Sequence, residues 1–500
     1  MLQKLRFMLL ALISSALLAA LPLWAAAPPD ASASTLPITT HSKKARQLFD
    51  SGLVKMENLH SIEGIQDLRK AAQLDPDFAL ANILISFESV DQAVDPEEKV
   101  AARERAKAAR GKVSHGEQLV IDWVANSSEG KIIPAIQAMN SVLEEYPKDK
   151  MLAWLGGIWI ENQQQITRAI PIFERAIKLD PNFAAPLNEL GYCYARVRNF
   201  DGAFAVMQRY IALLPNESNP QDSYAEILRM AGRFDDALVH YHESLKIDGN
   251  FWVSQLGIAD TYALMGDEER ARTEYAIAIQ HAGSRMEAAN WSLQSAMTYV
   301  REQNYEAADA AFRAVAEKAH KEALAVPEAE AFRMMSTYQT NNASAVALLE
   351  KAENALDHNN HPLPNMNRQE ELALILRTRA ERGAHDRNTS LATTTLKRLQ
   401  GLMDATNDQV IQLQYEGAAG AVLVAEGKYE QALAHLQEDS RNPLSMKLMV
   451  VSYRKMGARE VAEELSKTLA NWNEPTLEQA LVVPEFRGKG AETASTFKRM

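Results

Sequence analysis

An all-α fold, a right-handed solenoid of antiparallel helix pairs, is predicted by three features of the sequence. Small, large and helix-stopping residues recur at a fixed interval of 34 positions. Within each interval the apolar residues follow helical spacing, as in Ala169, Ile170, Phe173, Ala176 and Ile177. Runs of alternating apolar and polar residues, the mark of half-buried strands, are nearly absent. With 47% hydrophobic and 24% charged residues over 500 positions, the chain has enough apolar side chains to bury an extended core.

Taken in order, the first residues read as an export signal. Lys4 and Arg6 precede an uncharged apolar run from Phe7 to Leu23, which ends at Trp24-Ala25-Ala26-Ala27. Cleavage is expected around Ala25 to Ala27, leaving residues 1–27 as signal peptide and the Pro- and Ser-containing segment 28–43 as a linker. The alternative is an uncleaved single-pass inner-membrane anchor, since the run is just long enough to span a bilayer with little tilt. The expected location is therefore the periplasm or the medium, with membrane contact only if the segment is retained. The single cysteine, Cys193, excludes an intramolecular disulfide and any CxxC zinc or redox site. Packing alone must hold such an exported chain together, which suits a bacterial envelope protein better than a small secreted eukaryotic domain. A net charge of -12 disfavours nucleic acid and anionic lipid as partners.

Residues 44–114 read as divergent N-terminal repeats that include an extra charged helix from Pro96 to Arg110. The regular array spans 115–283. Ala135, Ala169, Ala203, Ala237 and Ala271 stand 34 residues apart, and Pro147, Pro181, Pro215 and Gly249 keep the same interval. A third column is small (Gly157, Gly191, Ala225, Ala259) and a fourth large (Met139, Phe173, Met207, Tyr241, Tyr275). Two antiparallel helices per unit explain these columns, because their closest contact needs small residues. Gly191 is expected to face Ala203, with the large residue one turn on filling the remaining space. The proline or glycine stops the second helix and lets the chain turn.

The columns closely resemble the tetratricopeptide family. The cleanest copy, Leu187-x2-Leu190-Gly191-x2-Tyr194, then Ala203-x3-Met207, then Pro215, is similar to that family's W-x2-L-G-x2-Y, A-x3-F, P pattern. The resemblance implies a superhelix whose concave wall is built from the first helix of each unit and serves as the ligand surface. In that register the peptide-binding groove is expected at Trp154, Ile158 and Glu161, then Asn188, Tyr192 and Arg196, then Asp222, Glu226 and Arg229, and finally Leu256 and Asp260. Packing between neighbouring units is the competing account of each. The mixture suits an extended peptide with some positive charge. Asp222 and Glu226 stand where the family's clamp for acidic C-termini needs basic or amide groups, so acidic tails are not the expected ligand.

Beyond the array, 284–407 read as irregular helical repeats with a loop-rich interruption at Asp357 to Asn367, and 408–470 as a C-terminal pair of similar type. The stretch 471–500 reads as a poorly ordered cap after Trp472. Val113-Ser114-His115-Gly116-Glu117-Gln118 resembles the approach to repeat regions found beside bacterial serine/threonine kinases, but the HRD and DFG signatures are missing.

No catalytic constellation emerges. His240 and His242 diverge by about 200° on a helix and do not share an ion, and His358 and His361 read as polar loop residues. HExxH and GxSxG are absent. Cys193 sits beside the small packing column, where a buried thiol is inert. Asp235-Asp236 and Glu268-Glu269 read as solvated helix starts. The expected function is a non-catalytic scaffold or adaptor of the bacterial cell envelope, binding a protein or extended peptide in its groove with no cofactor or metal. An accessory subunit of an envelope enzyme, export or polysaccharide-synthesis complex is the alternative.

Overall fold

The protein is described here by a computed structural model that covers residues 35–58, 60–87, 94–357 and 365–488. The expected signal segment, the first part of the linker, His358, His361 and residues 489–500 of the tail lie outside the described residues.

Among the described residues there are twenty-five α-helices and no strand. The N-terminal part holds α1 (Lys43–Glu57), α2 (Ser61–Leu74), α3 (Ala79–Ile85) and α4 (Pro96–Ala109). The regular array follows as pairs: α5 (His115–Ser128) with α6 (Ile132–Glu145), α7 (Lys150–Asn162) with α8 (Ile166–Leu179), and α9 (Ala185–Arg196) with α10 (Phe200–Leu213). It continues through α11 (Ser218–Met230) with α12 (Phe234–Ile247) and α13 (Trp252–Met265) with α14 (Glu268–Gln280). Longer helices come next: α15 (Arg285–Arg301), α16 (Tyr305–Lys321), α17 (Ala325–Tyr338), α18 (Asn342–Asp357), α19 (Asn365–His385) and α20 (Thr389–Thr406). The last are α21 (Gln409–Ala425), α22 (Tyr429–Leu436), α23 (Pro443–Lys455), α24 (Arg459–Ala470) and α25 (Leu477–Arg487).

Local chemistry sets the ends of these helices. Ser114 opens the array with a capping box: its hydroxyl accepts from Glu117 N, and the Glu117 carboxylate accepts from Ser114 N at 3.0 Å. The same carboxylate accepts from Thr39 N at 2.8 Å and Thr39 Oγ1 at 2.6 Å, tying the extended N-terminal segment onto the array. Inside each array hairpin the turn is closed by one left-handed residue, and these too recur at 34: Gly130, Gln164, Arg198, Gly232 and Gly266, with φ between 58° and 84°. At Gly232 the following amide, Arg233 N, bonds back to Leu228 O at 2.8 Å and satisfies a carbonyl that the helix end leaves open.

Packing within a hairpin places the large column over the small one. A Cβ on Gly157 would overlap the Phe173 ring, and one on Gly191 would overlap Met207. This corrects the expectation that Gly191 faces Ala203. A helical side chain leans toward the N-terminus of its own helix, so Met207 covers ground that sequence position alone assigns to Ala203.

The irregular segment is as regularly helical as the array. Its six helices run to 17, 17, 14, 16, 21 and 18 residues against 12 to 14 in the array's second to fifth hairpins, so the period is lost while the hairpins persist. The tail is also different from expectation, because Trp472 is buried and α25 follows it. Leu477 and Ala480 share a core with Leu293, Met297 and Phe312, and Val482 and Val483 with Met446, Val450 and Trp472. That apolar face is long enough to order the segment.

The C-terminal half closes against the array. Asn365 Nδ2 donates to Glu129 O at 3.1 Å and Met366 is buried in the N-terminal core. Arg285 pairs with Asp95 at 3.3 Å, Arg441 Nη1 donates to Gln164 Oε1 at 3.3 Å, and Asn473 Nδ2 donates to Met230 O at 3.3 Å.

Truncating Phe173, which is fully buried over Gly157, is expected to cost about 3–5 kcal/mol. Urea unfolding of Phe173→Ala followed by far-UV circular dichroism checks this; a loss under about 1 kcal/mol would mean that the small–large contact does not hold the hairpin together.

Candidate functional site

The first helices of the array, α7, α9, α11 and α13, pack side by side, so a residue and the one about 34 positions later are neighbours on one wall. The expected groove residues divide into two kinds on that wall. Trp154 and Ile158 are buried, with the Trp154 ring edge-on to Phe183 at a centroid distance of 5.8 Å, and Leu256 packs part-buried against the array core. These three hold neighbouring units together. Asn188 is buried with its amide against the Glu189 carboxyl.

The others form a charged ladder. Arg196 Nη1 bonds Glu161 Oε1 at 2.6 Å, one repeat back. Tyr192 Oη donates to Glu226 Oε2 at 2.8 Å, one repeat forward. Arg229 bridges Glu226 at 2.8 Å and Asp260 at 2.7 Å, and Asp260 also accepts from the Tyr275 hydroxyl. Asp222 accepts from Ser254 Oγ at 2.6 Å. Arg229, Asp222, Asp260 and Glu161 are buried, whereas Tyr192, Arg196 and Glu226 keep part of their surface.

Sequence reasoning missed Glu189, which lies on α9 beside this ladder and makes no ion pair among the described residues. Burial and the nearby Glu161 charge push its carboxyl up to about 8. An acid between Asn188 and Leu190 on an otherwise apolar helix is the signal that marked it. Burial likewise pushes Asp222 up to about 7, with Glu226 adding to the rise and Ser254 and Arg229 opposing it.

Glu161, Glu189, Tyr192, Arg196, Glu226 and Arg229 line a cavity of about 400 Å³. Gln294 of α15 adds to the lining, and the extended run Glu474-Pro475-Thr476, between α24 and α25, borders the same space. Four carboxylates thus meet two guanidiniums. Arg196 is committed to Glu161, and Arg229 to Glu226 and Asp260. Among the described residues Glu474 pairs only with Arg441, at 3.9 Å. The cavity is acidic in excess.

Other candidates resolve as structure. Cys193 is buried, and burial beside the Glu161 carboxylate raises its thiol far above the usual range, which keeps it unreactive. Asp235, Asp236 and Glu269 are exposed in first helical turns, but Glu268 is buried and pushed up to about 7, which corrects its reading as a solvated cap. Packing of α14 against α15 covers it. His240 is part-buried, edge-on to Tyr224 and bonded to Gln221, while His242 is exposed. Among the described residues no group of three or more His, Cys, Asp or Glu is placed to hold a metal ion, and no helix is long and apolar enough to cross a membrane.

The raised carboxyls give stability a defined pH slope. Unfolded Asp and Glu lose their protons near pH 4, whereas Glu189, Asp222, Glu268 and Glu371 keep theirs to about 7 or 8 when folded. The native state therefore binds more protons across this window, and stability falls as pH rises from about 5 to about 8. His240, held low by burial, opposes this weakly near pH 6. Urea midpoints at pH 5 and pH 8 measure the slope, and Glu189→Gln is expected to flatten it; an unchanged slope would mean Glu189 titrates normally. Arg229→Met is expected to destabilise by about 3–5 kcal/mol, because Asp260 and Glu226 then stay without their cation; thermal melts of the variant check the size.

No protein-family model matches the chain, and no curated protein does. Among solved structures it is similar to yeast Tom70, at 14% identity over 86% of this chain and 97% of that one with a TM-score of 0.43. A tetratricopeptide repeat protein from Parabacteroides merdae matches at 13% identity over 58% and 99% of the two chains, TM-score 0.34. YrrB, described as a TPR protein with an unusual peptide-binding site, matches at 15% identity over 36% and 92%, TM-score 0.25. The assignment of fold rests instead on this chain's own 34-residue columns, its small–large hairpin contacts and its recurrent left-handed turns. By those features the protein is an all-α solenoid of antiparallel helix hairpins whose repeat resembles the tetratricopeptide pattern.

Proposed function

We propose that this protein is a non-catalytic interaction scaffold of the bacterial cell envelope that receives a basic side chain of an extended partner segment in the cavity of its first-helix wall. The observation that carries the reading is the unbalanced charge of that cavity, where Glu189 has no ion pair among the described residues and both lining arginines are already engaged. A guest ammonium or guanidinium beside Glu189 would replace the proton that burial otherwise forces onto it. Glu474-Pro475-Thr476 borders the space, and a cavity of about 400 Å³ has room for a side chain but not for a helix of about 10 Å diameter. The export-like N-terminal sequence, Lys4 and Arg6 ahead of an apolar run, supports a location in the periplasm or outside the cell.

Fluorescence anisotropy with a lysine-centred pentapeptide and its norleucine counterpart tests the binding. The lysine peptide is expected to bind the wild type at least about tenfold more tightly, and Glu189→Gln to erase the difference. Equal binding of both peptides would sink the proposal. N-terminal sequencing of chain recovered from an osmotic-shock fraction checks the location, with a start between Ala26 and Pro28 expected; retention of Met1 in a membrane pellet would support the anchored alternative.

A further inference from the structure

We propose that a second cavity, bounded by α4, α15, α17 and α19, binds a small apolar molecule carrying an ammonium group, independently of the peptide reading above. The cavity has a volume of about 350 Å³, within the roughly 300–1,000 Å³ usual for small-molecule sites. Two helix stripes of the same make-up line it. On α15, Met286, Asn290 and Leu293 follow one another at helical spacing, and on α17 Val326, Glu330 and Met334 stand four apart. Each stripe is apolar at both ends and polar in the middle. Val94, at the start of the segment leading into α4, adds a further buried apolar wall.

Leu293 and Met334 take part in the neighbouring core, but Met286 does not belong to it. Ala296, Met297 and Val300 of α15 pack with Phe312 and Met335, leaving the Met286 end of the stripe part-buried over open space. An apolar guest of a few ring atoms would cover it.

The polar groups set the guest's chemistry. Gln294 Oε1 is buried and accepts no hydrogen bond among the described residues. An amide can be turned end for end, so Gln294 by itself does not fix the sign of its partner. Glu330 does, because burial raises its carboxyl and a cation beside it would hold it ionised, a form that only accepts. Among the described residues its one ion pair is with Arg333 at 3.3 Å, and that guanidinium gives its shorter contact, 2.7 Å, to Glu371. Lys99, also on the wall, turns its ammonium to the Phe87 carbonyl at 3.2 Å. A cationic donor on an apolar body meets both Gln294 and Glu330 and covers the methionines.

The test uses the full chain with methyl-labelled methionine and 2-phenylethylamine as probe, with phenylacetate as the anionic control. Met286→Leu and Met334→Leu identify the two reporter signals. Saturable shifts of both methyls with the amine, weakened at least about tenfold in Glu330→Gln at unchanged far-UV circular dichroism, are expected. Filling the space with Leu293→Trp should abolish them, and Glu189→Gln should leave them intact. Absence of shifts at these two methyls, equal binding of phenylacetate, wild-type affinity in Glu330→Gln, or loss of binding in Glu189→Gln would each overturn the site. Because the wild-type shifts are read directly, a misfolded variant does not decide the matter.

Discussion

The contact on which the rest of this structure depends is the seat of a large second-helix side chain over a small first-helix residue. Phe173 over Gly157 and Met207 over Gly191 bring the two helices of a hairpin to a separation that any Cβ at the glycine would prevent. The small column continues at 34 positions with Ala225 and Ala259, and the recurring hairpin sets how far one first helix lies from the next. The polar wall is a consequence. Arg196 reaches Glu161, Tyr192 reaches Glu226 and Arg229 reaches Asp260 only because equivalent turns of neighbouring repeats stand side by side.

A wall built this way carries an internal tension. Its carboxylates are shielded from water, and desolvation raises Glu189 and Asp222 although guanidiniums stand nearby. Well-packed hydrocarbon in the same place would often be as stable or more so. The positive charges bridge repeats, and the carboxyl groups left over, Glu189 among them, face the cavity. Closure by the C-terminal half sharpens the effect, since Asn473 docks on Met230 and Glu474 brings another carboxylate to the same space.

Much of the fold was legible because its cause is periodic. The small and large columns, the helical spacing and the ends of the array all follow from residue type at a fixed interval. The fifth column, the left-handed turn residue, was not legible, since only Gly130, Gly232 and Gly266 are glycines and Gln164 and Arg198 take the same conformation. Hydrogen bonding at the helix end imposes it there, not side-chain preference. The irregular segment misled for a related reason: its hairpins persist, but unequal helix lengths remove the interval by which a repeat is recognised. For the expected groove residues, sequence named positions on the first helices without separating Trp154 and Ile158, which pack inward, from Tyr192 and Arg196, which keep some surface.

By itself, then, the sequence determined the helical class, the hairpin register and the wall on which the charged residues gather, because each depends on side chains within one repeat or its neighbour. Only the tertiary structure decided that α25 and the preceding segment fold back on the array, that Glu189 lacks an ion pair among the described residues, and that α15 and α17 leave a cavity between the halves. Those features join residues far apart in sequence, such as Met230 and Asn473, which stand 243 positions apart. Contacts at that range depend on the accumulated twist of every intervening hairpin, to which a local pattern of residue types is blind.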